Sequence, residues 1–412
     1  MTTTSDRFSL ECSRCEWRGE DADINRCPQC SSLVLVAYAD SAIAVEPDAP
    51  GLWKYGSHLP LHDSRFAVSL GEGNTPLLRS GKLEQEIGVG ELYFKIEGSN
   101  PTGSYKDRIA AVGLSRLREL GKRAWAATSS GNAGAAMAAY GVRAGIDGYL
   151  FTLEKAARAK IAQIMAYGPQ IMAVEKLGYD PQTEIDTWAN IREVCAANEW
   201  MMLVTAHAFS PHAMEGVKTI SFEIAEQLKG NVPDVVYVPV GGGGLCAAIW
   251  RGFVEWQAAG LVDRVPRIVA VQPSGCGAIH QAWLRGDDDV VPISQVTSSI
   301  SGLQLAAPPD GGLVLQALAA SDGWSVLIDD DATYAAQAQL AQREGLFVEP
   351  ASAISVAGVA ADRASGRLRG DERVACILTG VGFKDANALQ SMVEHVEMPL
   401  ITADEILKLA ES

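Results

Sequence analysis

Three times along the chain a short, unbroken apolar run ends in a polar or glycine-bearing turn, and this recurring unit limits the fold more than any other feature. The runs are Ala124–Ala127, which meets Thr128, Ser129, Ser130, Gly131, Asn132, Ala133 and Gly134; Val235–Val240, which meets Gly241, Gly242, Gly243 and Gly244; and Ala375–Leu378, which meets Thr379, Gly380, Val381 and Gly382. Apolar runs this short, without alternation, fit strands buried on both faces. Helical patterns follow the first turn, to about Tyr140, and the second, from Leu245 to about Trp256. Further strands are expected at Ile268–Val271 and Val374–Leu378, and helices at Lys155–Tyr167 and Glu215–Leu228. Such alternation predicts α/β architecture with open parallel sheets.

In sheets of this kind ligands gather beyond the carboxyl ends of the strands, so the turns are where chemistry is expected. Four consecutive glycines let backbone approach an anion without intervening side chains, and N–H groups at a helix start favour negative charge. A glycine run can also be a plain hinge, but the strand before Gly241 and the helix after Gly244 favour a phosphate cradle. The run matches neither a Walker loop nor a dinucleotide fingerprint, because no Lys-Ser/Thr and no second spaced glycine set follow. The free N–H groups near Ser129, Ser130, Gly131 and Asn132 suit a substrate carboxylate, although the same residues also read as an ordinary helix cap. Thr379 taken alone reads better as a turn residue than as a cofactor contact, and only its company raises it.

Lys106 gives these turns a chemical centre. It stands in Gly98, Ser99, Asn100, Pro101, Thr102, Gly103, Ser104, Tyr105, Lys106, Asp107, Arg108, a tight turn running into a helical pattern from Asp107 through Leu120. An ammonium held near the positive end of a helix is biased towards its neutral, nucleophilic form, as Schiff-base chemistry with a carbonyl cofactor such as pyridoxal phosphate (PLP) requires. An isolated lysine would normally be a solvated surface residue; the three turns argue otherwise.

Together these motifs resemble fold type II PLP enzymes of the tryptophan-synthase-β type, and within them the threonine synthase family. Leu52, Trp53, Lys54, Tyr55 with Leu59, Pro60 is similar to that family's entry segment. So are Leu70 to Leu77 (Leu-Gly-Glu-Gly-Asn-Thr-Pro-Leu), Glu215 to Ile220 and Glu349 to Ala353 in their places. The resemblance covers nearly the whole chain. It implies that Lys106 is the catalytic lysine and carries the internal aldimine, that Asn132 meets the cofactor's ring oxygen, that Gly241, Gly242, Gly243 and Gly244 hold its phosphate, and that Thr379 faces its pyridine nitrogen. It also implies a lyase that eliminates a β or γ leaving group from an amino acid via an external aldimine, and a homodimer.

One stretch departs from that pattern. Where the family shows Asn-Pro-x-Arg before Glu-Gly-x-Lys-Thr, this chain has Ser210, Pro211, His212, Ala213. An asparagine and a guanidinium suited to a substrate phosphate are thereby absent, and the loss of a bidentate arginine is not conservative. The four-glycine loop also looks more like amino-acid dehydratases and ammonia-lyases of the same fold. The alternative activities are therefore an ammonia-lyase or dehydratase of threonine, serine or diaminopropionate type, or a β-replacement enzyme resembling cysteate synthase. Lys155, Arg158, Lys160, His207 and His212 are candidate substitutes for the missing cation. A catalytically silent relative that uses its N-terminus for partner binding is a third reading, which the intact context of Lys106 disfavours.

Cys12, Cys15, Cys27 and Cys30 form two Cys-x-x-Cys knuckles and resemble a zinc ribbon. Four thiolates close a tetrahedral site with no open position, so the Zn2+ is expected to be structural. Disulfide pairing or a redox motif are the alternatives. Cys195, Cys246, Cys276 and Cys376 lie singly in apolar surroundings and are expected to be buried.

The 412 residues carry 34 Lys plus Arg against 50 Asp plus Glu, a net charge of -16 that repels nucleic acid. No apolar stretch is long enough to span a bilayer, and Met1 to Ser9 lacks an apolar export core, so a cytoplasmic enzyme without membrane partners is expected, acting on a small amino-acid substrate. The expected organisation is a zinc ribbon to about Tyr38 within 1–45, a larger α/β PLP-binding domain from 46–115 and 205–395, a smaller α/β domain at 116–204, and a C-terminal helix within 396–412.

Overall fold

In the computed structural model residues 7–20, 24–156 and 158–408 are described. Met1–Asp6 of the N-terminal stretch, the last four residues of the C-terminal stretch and the side chain of Lys160 lie outside the described residues. The strands in chain order are β1 (Phe8–Cys12), β2 (Arg18–Gly19), β3 (Val34–Tyr38), β4 (Leu77–Arg79), β5 (Glu91–Ile96), β6 (Ala124–Thr128), β7 (Asp147–Leu153), β8 (Gln170–Val174), β9 (Trp200–Met202), β10 (Val235–Pro239), β11 (Arg267–Pro273), β12 (Trp324–Ile328) and β13 (Arg373–Leu378). They form three sheets, ordered β2-β1-β3, β12-β11-β10-β13-β5-β4 and β8-β7-β6-β9.

The four-stranded sheet is wholly parallel. In the six-stranded sheet only β4 runs antiparallel, at the edge. Helices cover the parallel strands, which explains why β10 and β13 read as unbroken apolar runs: Val235, Val236, Val238, Ala375 and Ile377 are all inaccessible to solvent. The small N-terminal sheet is antiparallel, with Leu10 opposite Val36. It sits on the larger body through Leu33 and Leu35, which pack with Ala208, Ala247 and Leu313. Tyr38 adds a hydrogen bond to Glu215 at 3.0 Å, and Arg251 donates to the Val36 carbonyl at 2.7 Å.

Two helices position the lysine. Lys106–Glu119 starts at Lys106 itself and packs against Pro211–Gln227. Their approach is so close that a Cβ on Gly216 would lie 2.1 Å from the Arg108 carbonyl oxygen, so this position accepts only glycine without backbone movement. The second helix begins four residues before the expected Glu215, because Pro211 occupies its first turn, where a missing N–H costs nothing. The helix expected from Lys155 starts at Arg158.

Below these helices lies a charge cluster sealed from water. Arg108 forms paired contacts with Glu97, at 2.8 and 2.8 Å, and with Glu223, at 2.7 and 2.9 Å, while Lys95 reaches Glu223 at 2.7 Å. Burial alone would raise the Glu223 pKa, but Arg108 and Lys95 outweigh it and hold the carboxyl well below the usual range. The stretch between the small N-terminal sheet and β4 is structured too: Gly51–His58 forms short helical turns whose Leu52, Trp53 and Tyr55 belong to the main core. Among the described residues no helix is long and apolar enough to cross a membrane.

Candidate active site

The turn that carries Lys106 follows β5, Thr379 follows β13, and the glycine run follows β10. These three strands are neighbours in the order β10-β13-β5, so the three turns lie side by side along one carboxyl edge. The first two are stitched together: the Tyr105 N–H donates to the Thr379 carbonyl at 3.0 Å, and the Val381 N–H donates to the Gly103 carbonyl at 3.0 Å. Asp107 braces the turn by accepting from the Thr102 N–H at 3.0 Å and the Thr102 hydroxyl at 2.7 Å. Burial pushes the Asp107 carboxyl up to about 6.

Lys106 is half-buried, and its Nζ donates to the Tyr105 hydroxyl at 2.6 Å and to Thr205 Oγ1 at 3.0 Å. Thr205 lies in the loop after β9 of the other parallel sheet, so Lys106 stands where loops from both sheets meet. Sequence reasoning singled out neither hydroxyl. The place of Thr205 just past a strand's carboxyl end was the available signal.

The same loop reaches the glycine run. His207 and Ala208 donate their N–H groups to Asp310, at 2.8 and 3.0 Å, and the Asp310 N–H donates to the Gly242 carbonyl at 2.9 Å. None of the backbone N–H groups from Gly241 to Cys246 has a hydrogen-bond partner among the described residues. Buried donors are rarely left unpaired, and the glycine run leads through Gly243 into the helix that starts at Gly244, Gly244–Ala258. The walls leave no room for side chains: Gly243 has φ of +97°, and a Cβ on Gly244 would lie 2.6 Å from Met214 Cε and 2.7 Å from Asp310 Oδ2. A bare, donor-rich cradle of this kind fits a phosphate group.

Opposite stands the turn after β6. Ser129 Oγ accepts from the N–H groups of Gly131, at 3.2 Å, and Gly134, at 3.0 Å, so its oxygen serves as a cap. Asn132 and Ala133 keep N–H groups with no partner among the described residues, at the start of the helix Asn132–Ala144. Ser130, Gly131 and Asn132 are half-buried between the two parallel-sheet bodies that Asn132 and Glu349 bridge. The Asn132 amide crosses that gap and donates from Nδ2 to Glu349, at 3.0 and 3.3 Å. Thr379 donates to the same carboxyl at 3.1 Å.

Of the substitutes for a missing cation whose side chains are described, His207 alone is brought beside the glycine run: a Cβ on Gly244 would lie 3.7 Å from its Nδ1. Its Nε2 is buried without a partner. His212 instead meets Phe8 of the N-terminal sheet, with ring centroids 6.1 Å apart, Lys155 lies over Tyr179, and Arg158 is exposed. Ala213 packs against the Gly113 backbone and Leu203 rather than offering any polar group. Ser210 is committed to the Val204 N–H, at 3.0 Å, and the Met202 carbonyl, at 3.3 Å.

In the N-terminal segment the sulfurs of Cys12, Cys15, Cys27 and Cys30 all lie within 4.8 Å of one another. The Cys12–Cys30 separation is 3.4 Å and the Cys15–Cys27 separation 3.6 Å. Four thiolates at about 2.3 Å from a tetrahedral Zn2+ would be spaced much like this. Cys195, Cys246, Cys276 and Cys376 are buried, as expected.

Comparison with known proteins agrees with this geometry. Residues 68–380 match the family described as pyridoxal-phosphate dependent enzyme. The chain is 38% identical over 339 residues to a threonine synthase of Methanocaldococcus jannaschii, covering 82% of each chain. It is 34% identical over 412 residues to a threonine synthase of Methanosarcina acetivorans, covering 98% of each. Its fold is similar to that of the processed threonine deaminase isoform 2 of Solanum lycopersicum, with a TM-score of 0.67 and 22% identity over 88% of this chain and all of the other. The chain therefore belongs to the pyridoxal-phosphate dependent enzymes, in their threonine synthase family, and is a PLP-dependent lyase.

Proposed function

We propose that Lys106 is the lysine that bonds the cofactor, that Gly241 to Gly244 hold its phosphate, and that Asn132 and Thr379 meet its ring oxygen and ring nitrogen. The observation that carries this reading is the alignment of the Lys106, Thr379 and glycine turns along one sheet edge, with unpaired N–H groups at the glycines. Bound there, PLP supplies an electron sink for the charge that develops when a substrate loses its Cα proton. The Tyr105 and Thr205 hydroxyls hold Lys106 Nζ at the meeting point of the two sheets. Displaced by the substrate's amine, Lys106 is placed to take the Cα proton and pass it on to later carbons. The free N–H groups of Asn132 and Ala133, with Ser129, Ser130 and Gly131 around them, bind the substrate carboxylate. Thr379, a neutral hydroxyl, cannot hold a ring nitrogen protonated as an aspartate would, which suits elimination better than transamination.

The substrate is an amino acid with a leaving group at Cβ or Cγ. Phosphohomoserine is the choice the family points to. The apolar packing of Ala213 favours a second reading, a β-elimination or β-replacement on an amino acid without a phosphate, because nothing at that position can replace a guanidinium. Titrating the holoenzyme with phosphohomoserine, threonine, serine, phosphoserine and diaminopropionate, and following the cofactor's absorbance and the products, separates them. Threonine plus phosphate supports the first; an oxo acid plus ammonia, or a new β-substituted amino acid, supports the second; no spectral response to any amino acid contradicts both.

The larger domain is built on the six-stranded sheet, from 46–115 and 205–395, and the smaller, 116–204, on the four-stranded one. The four cysteines hold one structural Zn2+. Chelation or Cys27→Ser is expected to release about one zinc per chain and lower the thermal midpoint while the cofactor's colour persists in the folded protein; metal analysis with parallel melting curves checks this, and a metal-free protein of unchanged stability contradicts it. The family resemblance further supports a homodimer in the cytoplasm.

A further inference from the structure

Glu349 is a polar residue of the site to which the proposed chemistry gives no task. It is 7% exposed at the start of the helix Pro350–Ser365. Its Oε1 and Oε2 receive Asn132 Nδ2, at 3.3 and 3.0 Å, and its Oε1 also receives Thr379 Oγ1, at 3.1 Å. One carboxyl thus touches both residues assigned to the ring, from opposite sides of the gap between the sheets.

The number of protons available makes this consequential. An ionised carboxyl only accepts hydrogen bonds. The Asn132 amide must therefore turn its NH2 towards Glu349, leaving its second N–H as a donor for a ring oxygen. The Thr379 hydroxyl has a single proton. Given to Glu349, it leaves only a lone pair facing the ring nitrogen, so Thr379 then donates nothing to an unprotonated ring. Ser352, 2.9 Å from Thr379 Oγ1, does not reverse this, since its hydroxyl has the Gly380 carbonyl to donate to at 3.1 Å.

We propose that Glu349 is a positioning residue that sets the direction of the hydrogen bonds at Asn132 and Thr379 together, so that its own protonation decides whether Thr379 accepts from or donates to the cofactor's ring nitrogen. This rests on the assignment of Asn132 and Thr379 to the ring. The carboxyl is poised for such a role: burial pushes it above the usual carboxylate range and Asp385 adds to this, while Asn132, Thr379 and Lys384 pull it back.

The test is the absorbance of the lysine-bound cofactor in the holoenzyme, titrated against pH, in the native protein and in Glu349→Gln. Glutamine carries no charge and presents an NH2 in place of one carboxylate oxygen, so Asn132 Nδ2 and Thr379 Oγ1 lose their common anionic acceptor and one of the three contacts becomes donor against donor. The titration is expected to move by about one pH unit or more, and the cofactor to bind about tenfold more weakly, as for a lost hydrogen bond to a charged group. Combined with Thr379→Val, which removes the proton in question, Glu349→Gln should move the titration no further. If Glu349→Gln does not fold, Thr379→Val alone must move the titration in the native background. An unmoved titration in Glu349→Gln, or in Thr379→Val, overturns the proposal. Borohydride reduction of each protein separates this from the reading beneath it: cofactor fixed to Lys106 with unmoved titrations defeats only the role of Glu349, whereas cofactor absent from Lys106 in the native protein defeats the assignment of the site.

Discussion

Replacing Arg108 by methionine is expected to lower the stability of the apoprotein by about 3–5 kcal/mol, the scale seen when one partner of a buried ion pair is removed. The guanidinium satisfies two carboxylates, Glu97 and Glu223, in a region with no access to water. Without it Lys95 remains as the cation for Glu223, and Glu97 keeps only neutral donors, Thr75 and Asn100. The loss reaches the active site because Arg108 sits in the first turn of the helix that begins with Lys106. Urea unfolding followed by circular dichroism measures the effect. Adding Glu97→Gln to Arg108→Met should recover part of the loss, since it removes the one carboxylate left without a cation while Lys95 still pairs with Glu223. Unchanged stability in Arg108→Met would mean that the cluster contributes little.

The second large effect is chemical. Lys106→Ala should abolish the covalent attachment of the cofactor and lower turnover by at least about 10³-fold, because one side chain serves as both nucleophile and base. The variant should still fold. Alanine is the best helix former, the Lys106 side chain is only half-buried, and the hydroxyls of Tyr105 and Thr205 lose one partner each. Near-native circular dichroism with no lysine-bound absorbance is the expected pair of results. Residual turnover close to native would place the chemistry elsewhere.

Local pattern reveals much of this molecule. The parallel strands β10, β11 and β13 were legible because strands covered on both faces must be apolar at every position, and the glycine run because a Cβ at Gly241, Gly243 or Gly244 would come within 3 Å of its neighbours. The start of the helix Pro211–Gln227 was harder to see. Its first turn, Pro211 to Met214, has no helical apolar spacing, and the Ser-Pro signal was read only as a family motif. The partners of Lys106 were harder still. Thr205 is 99 residues away in sequence and meets Lys106 only because two sheets place their loops together. Glu349 stood out only as part of the family-like stretch Glu349 to Ala353, and its bond to Asn132 spans 217 residues. Such cross-sheet contacts depend on tertiary arrangement, to which neither periodicity nor turn chemistry refers. The buried cluster around Arg108 was invisible for the same reason, as each of its charges alone resembles a surface residue.

Everything proposed for the site depends on which amine holds the cofactor. Borohydride reduction of the holoenzyme, followed by proteolysis and mass spectrometry of the peptides, reads this directly. The reduced cofactor is expected on the peptide containing Lys106 and on no other lysine; its recovery on a different lysine, or on none while the native protein is coloured, would contradict the account.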